Sequence, residues 1–550
     1  MTIINSSAFL KRLPSRSGNP SHQQVVALVA STAALSVAGL WLSRHFSNFS
    51  PSKAFPFVSR GQQNSKEKEP KLGLDGWIHY QKLFALTSIV AAFGPDGKNA
   101  TGTSTGCMIA SPSRPGSYLD PENENENYFF QWTRDGSLCL RTILRKLEEV
   151  EMGELIGLEN EDFNRLDDLI KGFIIMNRKL QFLDNPSGSP WNGGLGEPKF
   201  LVNGTPFEAT WGRPQNDGPA IRASTLIRYA KHLVETHTDQ QAQIEGLKFI
   251  ESTLYSKGDP NSFISMDINH VCETWRLPTF DLWEEVKATN GGHFYTLMVQ
   301  RRAVQDMLDF VSSRPYFQPA DETILHKYRN TLVEMDTRLE EFWNPEGVGK
   351  REGGPGWNSK IIEDCLRLIS DQVLNKPHIL PTLDRLDDVF SAVYKINSQQ
   401  SKLDGIAIGR YPEDNYDGKG SSVGHPWFLC TNTVAETLYL TAHHFKKTGS
   451  ITITPISLTF FQRFISDLEI PENTPLVISR GSEMFTKLVK GIKQWADTFL
   501  EDVRGYGSLG SKMSEQIHRE TGMMRGAREL TWSYASFLTA IDARDGKAPN

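Results

Sequence analysis

The segment Ala-Ser-Thr-Leu-Ile-Arg-Tyr-Ala-Lys-His-Leu-Val (residues 223–234) decides the fold class, because its apolar side chains recur three and four residues apart. Ala223, Leu226, Ile227, Ala230, Leu233 and Val234 fall on one face of an α-helix, a spacing that a strand with its two-residue repeat does not bring together. Phe294, Leu297, Met298, Val304, Leu308 and Val311 draw a second such stripe. Working outward, further helices are expected near 76–92, 136–152, 163–182, 240–256, 321–343, 361–375, 383–395, 427–446, 482–501 and 525–543. That makes about a dozen helices with little strand alternation and no βαβ rhythm, hence an all-α body. Helical hairpins closing into a ring, an α/α toroid, suit this pattern. A helical solenoid suits the periodicity equally, but no internal repeat supports it.

The links between helices are rich in Gly, Pro, Asp and Asn, as in 185–196, 344–356 and 414–426. Several are long, and long loops on a compact body usually carry function. The 39% apolar content is ample for a large core. A formal charge of −6 over 59 basic and 65 acidic residues lacks the positive surface that a phosphate backbone requires, which argues against nucleic acid as a partner. Cys107, Cys139, Cys272, Cys365 and Cys430 stand singly, without zinc-site spacing, and read as buried thiols; in an oxidising compartment one or two bridges remain open.

The amino-terminal part has a different character. Its first 66 residues hold seven Lys/Arg and no Asp or Glu, and within them Val25–Leu42 is free of charge. As a helix this run is about 27 Å long, close to the thickness of bilayer hydrocarbon. The division expected is a basic tail (1–24), a hydrophobic anchor (25–42), a flexible stalk (43–71) and a catalytic body (72–550). A cleaved signal peptide and a mitochondrial presequence compete with the anchor. An anchored chain would place its body in the lumen, the vacuole or outside the cell, where sequons at Asn99 and Asn203 could carry glycans.

Several enzyme classes lose their support because HExxH, CxxC and the phosphate-binding loop are all missing. Gly505, Gly507 and Gly510 spell GxGxxG, but a helical segment precedes them and no strand leads in, so a dinucleotide site is not expected. His443-His444 closes an apolar helix, where capping is a plainer role than metal binding.

Chemistry is suggested instead by Phe280-Asp281-Leu282-Trp283-Glu284-Glu285-Val286. Where two adjacent carboxyl groups stand among large apolar side chains, lost hydration and the neighbouring like charge raise the pKa of one member, and a proton retained near neutrality is what a general acid requires. The plainer alternative is an acid pair on a helix face. Glycoside cleavage needs a second carboxylate across the sugar, and composition cannot choose it among the other acids. Three more segments, YFFQWTRD (128–135), WGRPQNDGP (211–219) and GRYPEDNY (409–416), combine aromatic plates with planar ionic groups, as a pyranose-binding surface does.

Taken with SEQ (514–516) and LTWSYAS (530–536), these segments make the chain resemble the glucoamylases of glycoside hydrolase family 15, especially the yeast and fungal members. The resemblance runs from Trp77 to Arg544 in the family's motif order. It implies an (α/α)6 barrel and an inverting, exo-acting hydrolase that releases β-D-glucose from non-reducing ends of α-1,4-linked glucans. It further implies Glu284 as general acid and Glu515 as general base. By the same resemblance Arg134 and Asp135 hold the terminal glucose, Arg410 and Glu285 grip the ring or its neighbour, and Trp211 flanks the scissile bond. Tyr128, Trp132, Leu282, Trp283, Tyr411, Asp414 and Trp532 complete the binding set. No metal or other cofactor is implied, and a monomer is expected.

Phe130, where many members have Tyr, and the longer turn at Lys287–Asn290 depart from the pattern and put linkage preference in question. No starch-binding module follows residue 544, so soluble maltodextrins or glycogen are expected in preference to raw granules. Two other readings stay open: a related hydrolase acting on trehalose or α-1,6 glucan, and a membrane-tethered glucan-binding protein without turnover.

Overall fold

A computed structural model of the chain describes residues 73–117, 126–151, 160–235, 239–319, 321–342, 379–471, 474–507 and 512–547. The tail, anchor and stalk expected before residue 72, Cys365, and the helix expected at 361–375 lie outside the described residues. Among the described residues, no helix is long and apolar enough to cross a membrane.

The helices are α1 (Leu74–Val90), α2 (Thr133–Glu151), α3 (Asn160–Gln181), α4 (Asp217–Glu235), α5 (Gln240–Phe249), α6 (Phe263–Thr274) and α7 (Phe294–Ser313). They continue with α8 (Glu322–Glu340), α9 (Ile379–Val393), α10 (Phe428–Thr448), the short α11 (Leu458–Gln462), α12 (Glu483–Tyr506) and α13 (Thr531–Arg544). The few strands form two-stranded antiparallel ladders: β1 (Gln131–Trp132) with β2 (Lys199–Phe200), β3 (Thr279–Phe280) with β4 (Lys287–Ala288), β5 (Ser450–Ile453) with β6 (Leu476–Ser479), and β7 (Gln516–Ile517) with β8 (Met524–Arg525).

Burial sorts the helices into two layers. Nearly every residue of α4, α10 and α13 is buried, as a helix surrounded by others must be. In contrast, α12 buries only Phe485, Leu488, Val489, Ile492, Trp495, Ala496, Phe499, Leu500 and Val503, a single stripe. The inner helices α10, α13, α2, α4 and α7 pack side by side in that order, and α12, α1, α3, α6 and α8 cover them from outside. This is the architecture of an α/α barrel. Local signals fix the ends: Ser482 caps α12 by accepting from the Phe485 amide at 3.1 Å, Asp321 caps α8 from Thr323, and Gly449 takes the left-handed conformation that ends α10.

Two expectations are corrected here. Helix α6 was not anticipated, because Ile264, Met266 and Ile268 alternate like a strand while Phe263 and Val271 do not. Residues 525–530 were expected within the last helix, but they form β8 and the loop after it, and α13 begins only at Thr531. Cys107, Cys139, Cys272 and Cys430 are free thiols, all but Cys272 fully buried. Of the sequons at Asn99 and Asn203, the latter is exposed, whereas Asn99 is half-buried and donates to Glu529 Oε2 at 3.2 Å.

One buried ion pair ties three helices together. Arg222 of α4 clasps Asp267 of α6 with two hydrogen bonds of 2.8 and 2.7 Å, and Gln181 at the end of α3 donates to the same carboxylate at 2.9 Å. Asp267→Ala should strand the Arg222 guanidinium in a dry interior, with an expected loss of about 3–5 kcal/mol in urea-induced unfolding. A loss below about 1 kcal/mol would mean that the clasp does not hold these helices.

Candidate active site

The N-terminal ends of α2, α4, α10 and α13 converge with the loop before α7 on one cavity of about 300 Å³. A volume of this size suits a small polar ligand. Ladder β1–β2 delivers Trp132 to the wall, and the first turn of α2 adds Arg134 and Asp135, both buried. Arg134 is fixed from several sides: Gln215 Oε1 and Asp217 Oδ2 accept from its Nη1 at 2.8 and 3.1 Å, and Asp135 stands 3.4 Å from its Nε. Burial opposes its charge, yet Asp217, Asp135 and Glu284 together hold the guanidinium protonated well above its ordinary range.

Glu284 sits in the loop of the β3–β4 hairpin, not on a helix face. Asp281 shapes this loop by accepting the amides of Glu285 and Val286 on Oδ1, each at 2.9 Å, while its carbonyl takes the Glu284 amide at 3.0 Å. The turn drives Glu284 to a φ of 66°, which costs a non-glycine residue roughly 1–3 kcal/mol. Such strain persists only where the surroundings over-determine it, and Gly212 makes that possible: a Cβ there would stand 2.6 Å from the Glu284 carbonyl.

Each oxygen of the Glu284 carboxyl receives one indole N–H. Trp132 donates to Oε1 at 2.7 Å and Trp211 to Oε2 at 2.8 Å, with Gln215 adding a bond to Oε1 at 3.1 Å and Arg134 lying 3.4 Å away. The indoles therefore meet this acid by their polar edges, where the sequence suggested an apolar face. Its neighbour turns the other way. Glu285 accepts from Arg410 at 2.8 Å and from the Tyr411 hydroxyl, so the two adjacent carboxylates have separate cations instead of repelling one another.

Glu515, distant in sequence, lines the same cavity from the strand entering β7. It is wholly buried. Tyr128 donates to its Oε1 at 2.5 Å and lies 3.0 Å from the Tyr416 hydroxyl. Burial pushes the Glu515 carboxyl up to about 7, with the Tyr128 hydrogen bond and the Arg410 charge pulling in the opposite direction. Its Oε2 takes no hydrogen bond from the protein among the described residues. Gly526 is needed beside it, since a Cβ at that position would fall 2.3 Å from Oε2.

Ten of the twelve residues expected to bind substrate line the cavity: Tyr128, Trp132, Arg134, Asp135, Trp211, Leu282, Trp283, Glu285, Arg410 and Trp532. Tyr411 and Asp414 stand behind the wall. Asp414 clamps Arg410 through bonds of 2.8 and 2.6 Å, and Tyr411 braces Glu285, so both act through the groups they hold. Gly212, Tyr416, Trp427 and Leu530 also line the cavity and were not singled out from sequence. A ring such as Trp427, the residue just before α10, carries no local mark of facing a cavity; Tyr416 at least closes a motif already noted for its chemistry. Trp283 and Trp427 pack at 5.4 Å, and their buried indole N–H groups lack protein acceptors among the described residues. A buried donor left unpaired costs about 1–3 kcal/mol, and both of these belong to residues that line the cavity. Among the described residues, no three His, Cys, Asp or Glu side chains are grouped to hold a metal ion.

Comparison with known proteins agrees with this geometry. Residues 84–542 match the family described as glycosyl hydrolases family 15. A probable glucoamylase of Schizosaccharomyces pombe is 34% identical over 484 residues, covering 88% of this chain and 94% of its own length. Among solved structures, the glucoamylase of Saccharomycopsis fibuligera superposes with a TM-score of 0.74 at 28% identity, covering 88% of this chain and 98% of that one. The family 15 glucoamylase of Hypocrea jecorina gives 0.72 at 31% identity, over 87% of this chain and 73% of its own. With the matched region spanning the barrel and every wall of the cavity, the chain belongs to the glycosyl hydrolases of family 15.

Proposed function

We propose that the protein is an exo-acting glycoside hydrolase that releases β-D-glucose from the non-reducing ends of α-1,4-linked glucans. The observation that carries this reading is one cavity holding two carboxyl groups in opposite settings. Glu284 is surrounded by N–H donors that stabilise the carboxylate left after it protonates the departing glycosidic oxygen. Glu515 has one oxygen held by Tyr128 and the other without a protein partner, the arrangement of a base that receives a proton from water. Burial makes it a stronger base than a solvated carboxylate. Water attacks the anomeric carbon on the face opposite the leaving oxygen, Glu515 takes its proton, and the centre inverts in a single step.

The remaining groups bind and orient. Arg134 and Asp135 hold hydroxyls of the terminal glucose, Arg410 and Glu285 hold the ring or its neighbour, and the indole N–H groups of Trp283 and Trp427 supply further donors. The developing positive charge on the sugar is stabilised by fixed carboxylates, in line with electrostatic preorganisation. Attachment to a membrane through Val25–Leu42, with the body on the lumenal, vacuolar or external side, is a further proposal that rests on that uncharged run alone.

Glucose release from maltotriose, isomaltose and trehalose, with the anomer followed by NMR, tests the reaction. Fastest turnover on maltotriose with β-glucose as first product is expected. Glu284→Gln and Glu515→Gln should each lower kcat by about 10²–10⁴-fold. First-formed α-glucose, or glucan binding without release by the parent protein, contradicts the assignment.

The pH dependence follows from the burial of Glu515. Its carboxylate form is the active one, so kcat/KM should rise with pH through a limb near 7. Tyr128→Phe removes a hydrogen bond that favours the carboxylate and should move this limb to higher pH. A limb that stays fixed or moves lower in Tyr128→Phe would show that another group controls it.

A further inference from the structure

Lys199 belongs to none of the motifs above, yet four aromatic rings surround its ammonium. It lies on β2 directly opposite Trp132 and is 2% exposed. Its ammonium stands 3.5 Å from the ring centroid of Trp211, 4.2 Å from Phe130, 4.4 Å from Phe207 and 4.5 Å from Trp132. These four rings close on themselves, each meeting the next edge to face: Phe130 with Trp132 at 6.1 Å, Trp132 with Trp211 at 6.3 Å, Trp211 with Phe207 at 5.7 Å and Phe207 with Phe130 at 5.3 Å. Among the described residues, no carboxylate or carbonyl accepts a hydrogen bond from the ammonium. A buried cation whose partners are aromatic rings is held by their electron-rich faces.

Two walls of this box are the indoles that grip Glu284. Trp132 and Trp211 turn their faces toward Lys199 while their N–H groups donate to the two oxygens of the acid. We propose that Lys199 is a positioning residue of the hydrolytic centre: its boxed ammonium fixes both indoles and polarises their N–H groups toward Glu284. A cation on a ring face draws electron density from the N–H, so each donor binds the carboxylate more strongly, as in any hydrogen-bonded relay. The benefit grows as Glu284 gives up its proton, because only then does it carry full negative charge. Lys199 thus acts on the transition state through the tryptophans, without touching the sugar.

This inference rests on Glu284 being the proton donor. The charged groups facing the ammonium are Glu284 from the hairpin loop, Glu126 before β1, and Arg213 beside Trp211. Arg213 is itself paired with Glu197 at 3.1 Å. Glu284 is faced in addition by Arg134 of α2, which removal of Lys199 leaves in place. Burial lowers Lys199 to about 8, so its charge is present at neutral pH and below.

The test compares the full chain with Lys199→Met and Lys199→Arg, measuring kcat and KM on maltotriose across pH, with near-ultraviolet circular dichroism to follow the aromatic box. Lys199→Met should lower kcat on the order of 30-fold, the scale of one desolvated cation–π contact, with KM within about twofold. Lys199→Arg keeps the charge in a shape that fits the box poorly, so its kcat should fall less than that of Lys199→Met.

Wild-type kcat in Lys199→Met would overturn the proposal. So would a rise in KM alone, which would make Lys199 a sugar contact. If Lys199→Met does not fold, Lys199→Gln takes its place as the uncharged variant, and wild-type kcat in it overturns the proposal equally. Glu284→Gln separates the two levels of the argument: an active Glu284→Gln removes the proton donor itself, whereas an inactive Glu284→Gln beside a normal Lys199→Met removes only the role of Lys199.

Discussion

A helix buried on every side can satisfy its interior but not its first turn, where up to four N–H groups have no partner within the helix. In this barrel, four inner helices bring those ends to one place. Helices α2, α4, α10 and α13 all begin at or immediately behind the cavity, and their dipoles direct partial positive charge toward it. Such a site favours negative groups, and it holds carboxyl groups from separate parts of the chain: Asp135, Glu284, Glu285 and Glu515. The architecture thus makes a cluster of acids tolerable in a small volume, and glycoside hydrolysis by acid and base catalysis depends on such a cluster.

Within that field, the site separates its acids by the partners it gives them. Glu284 and Glu285 are adjacent in sequence, yet the left-handed turn at Glu284 sends one carboxyl to indole N–H groups and the other to Arg410 and Tyr411. Asp281 holds the turn and Gly212 makes room for it, so two unremarked residues set the geometry of the acid. Glu515 receives the opposite treatment: full burial, one phenol, and beside Gly526 an oxygen without a protein partner among the described residues.

Much of this was legible in the sequence because it is written in local patterns. Stripes such as Ala223 to Val234 identify the helices, and through a family likeness the FDLWEEV and SEQ segments pointed to Glu284 and Glu515, which the fold brings to one cavity. Most of what escaped is non-local, with one exception. Helix α6 was hidden by side chains that alternate like a strand. Tyr411 and Asp414 sit in a motif of the expected flavour but point at Arg410 and Glu285, a second layer that only the folded chain can distinguish from the first. Lys199 gives no signal at all: its box is assembled from residues 130, 132, 207 and 211, on two separate segments. Adjacent carboxylates also misled, since sequence adjacency suggested repulsion where the turn provides separate cations.

The central claim is that water attacks from the Glu515 side while Glu284 works on the other. The most direct measurement removes the base and supplies a substitute nucleophile: Glu515→Ala with α-glucosyl fluoride and azide, the glucosyl azide being identified by NMR. Fluoride departs without strong acid assistance, and azide can occupy the space left by the side chain. The account predicts β-glucosyl azide, the inverted product. Formation of α-glucosyl azide, or hydrolysis by Glu515→Ala at the parent rate with no azide adduct, would contradict it.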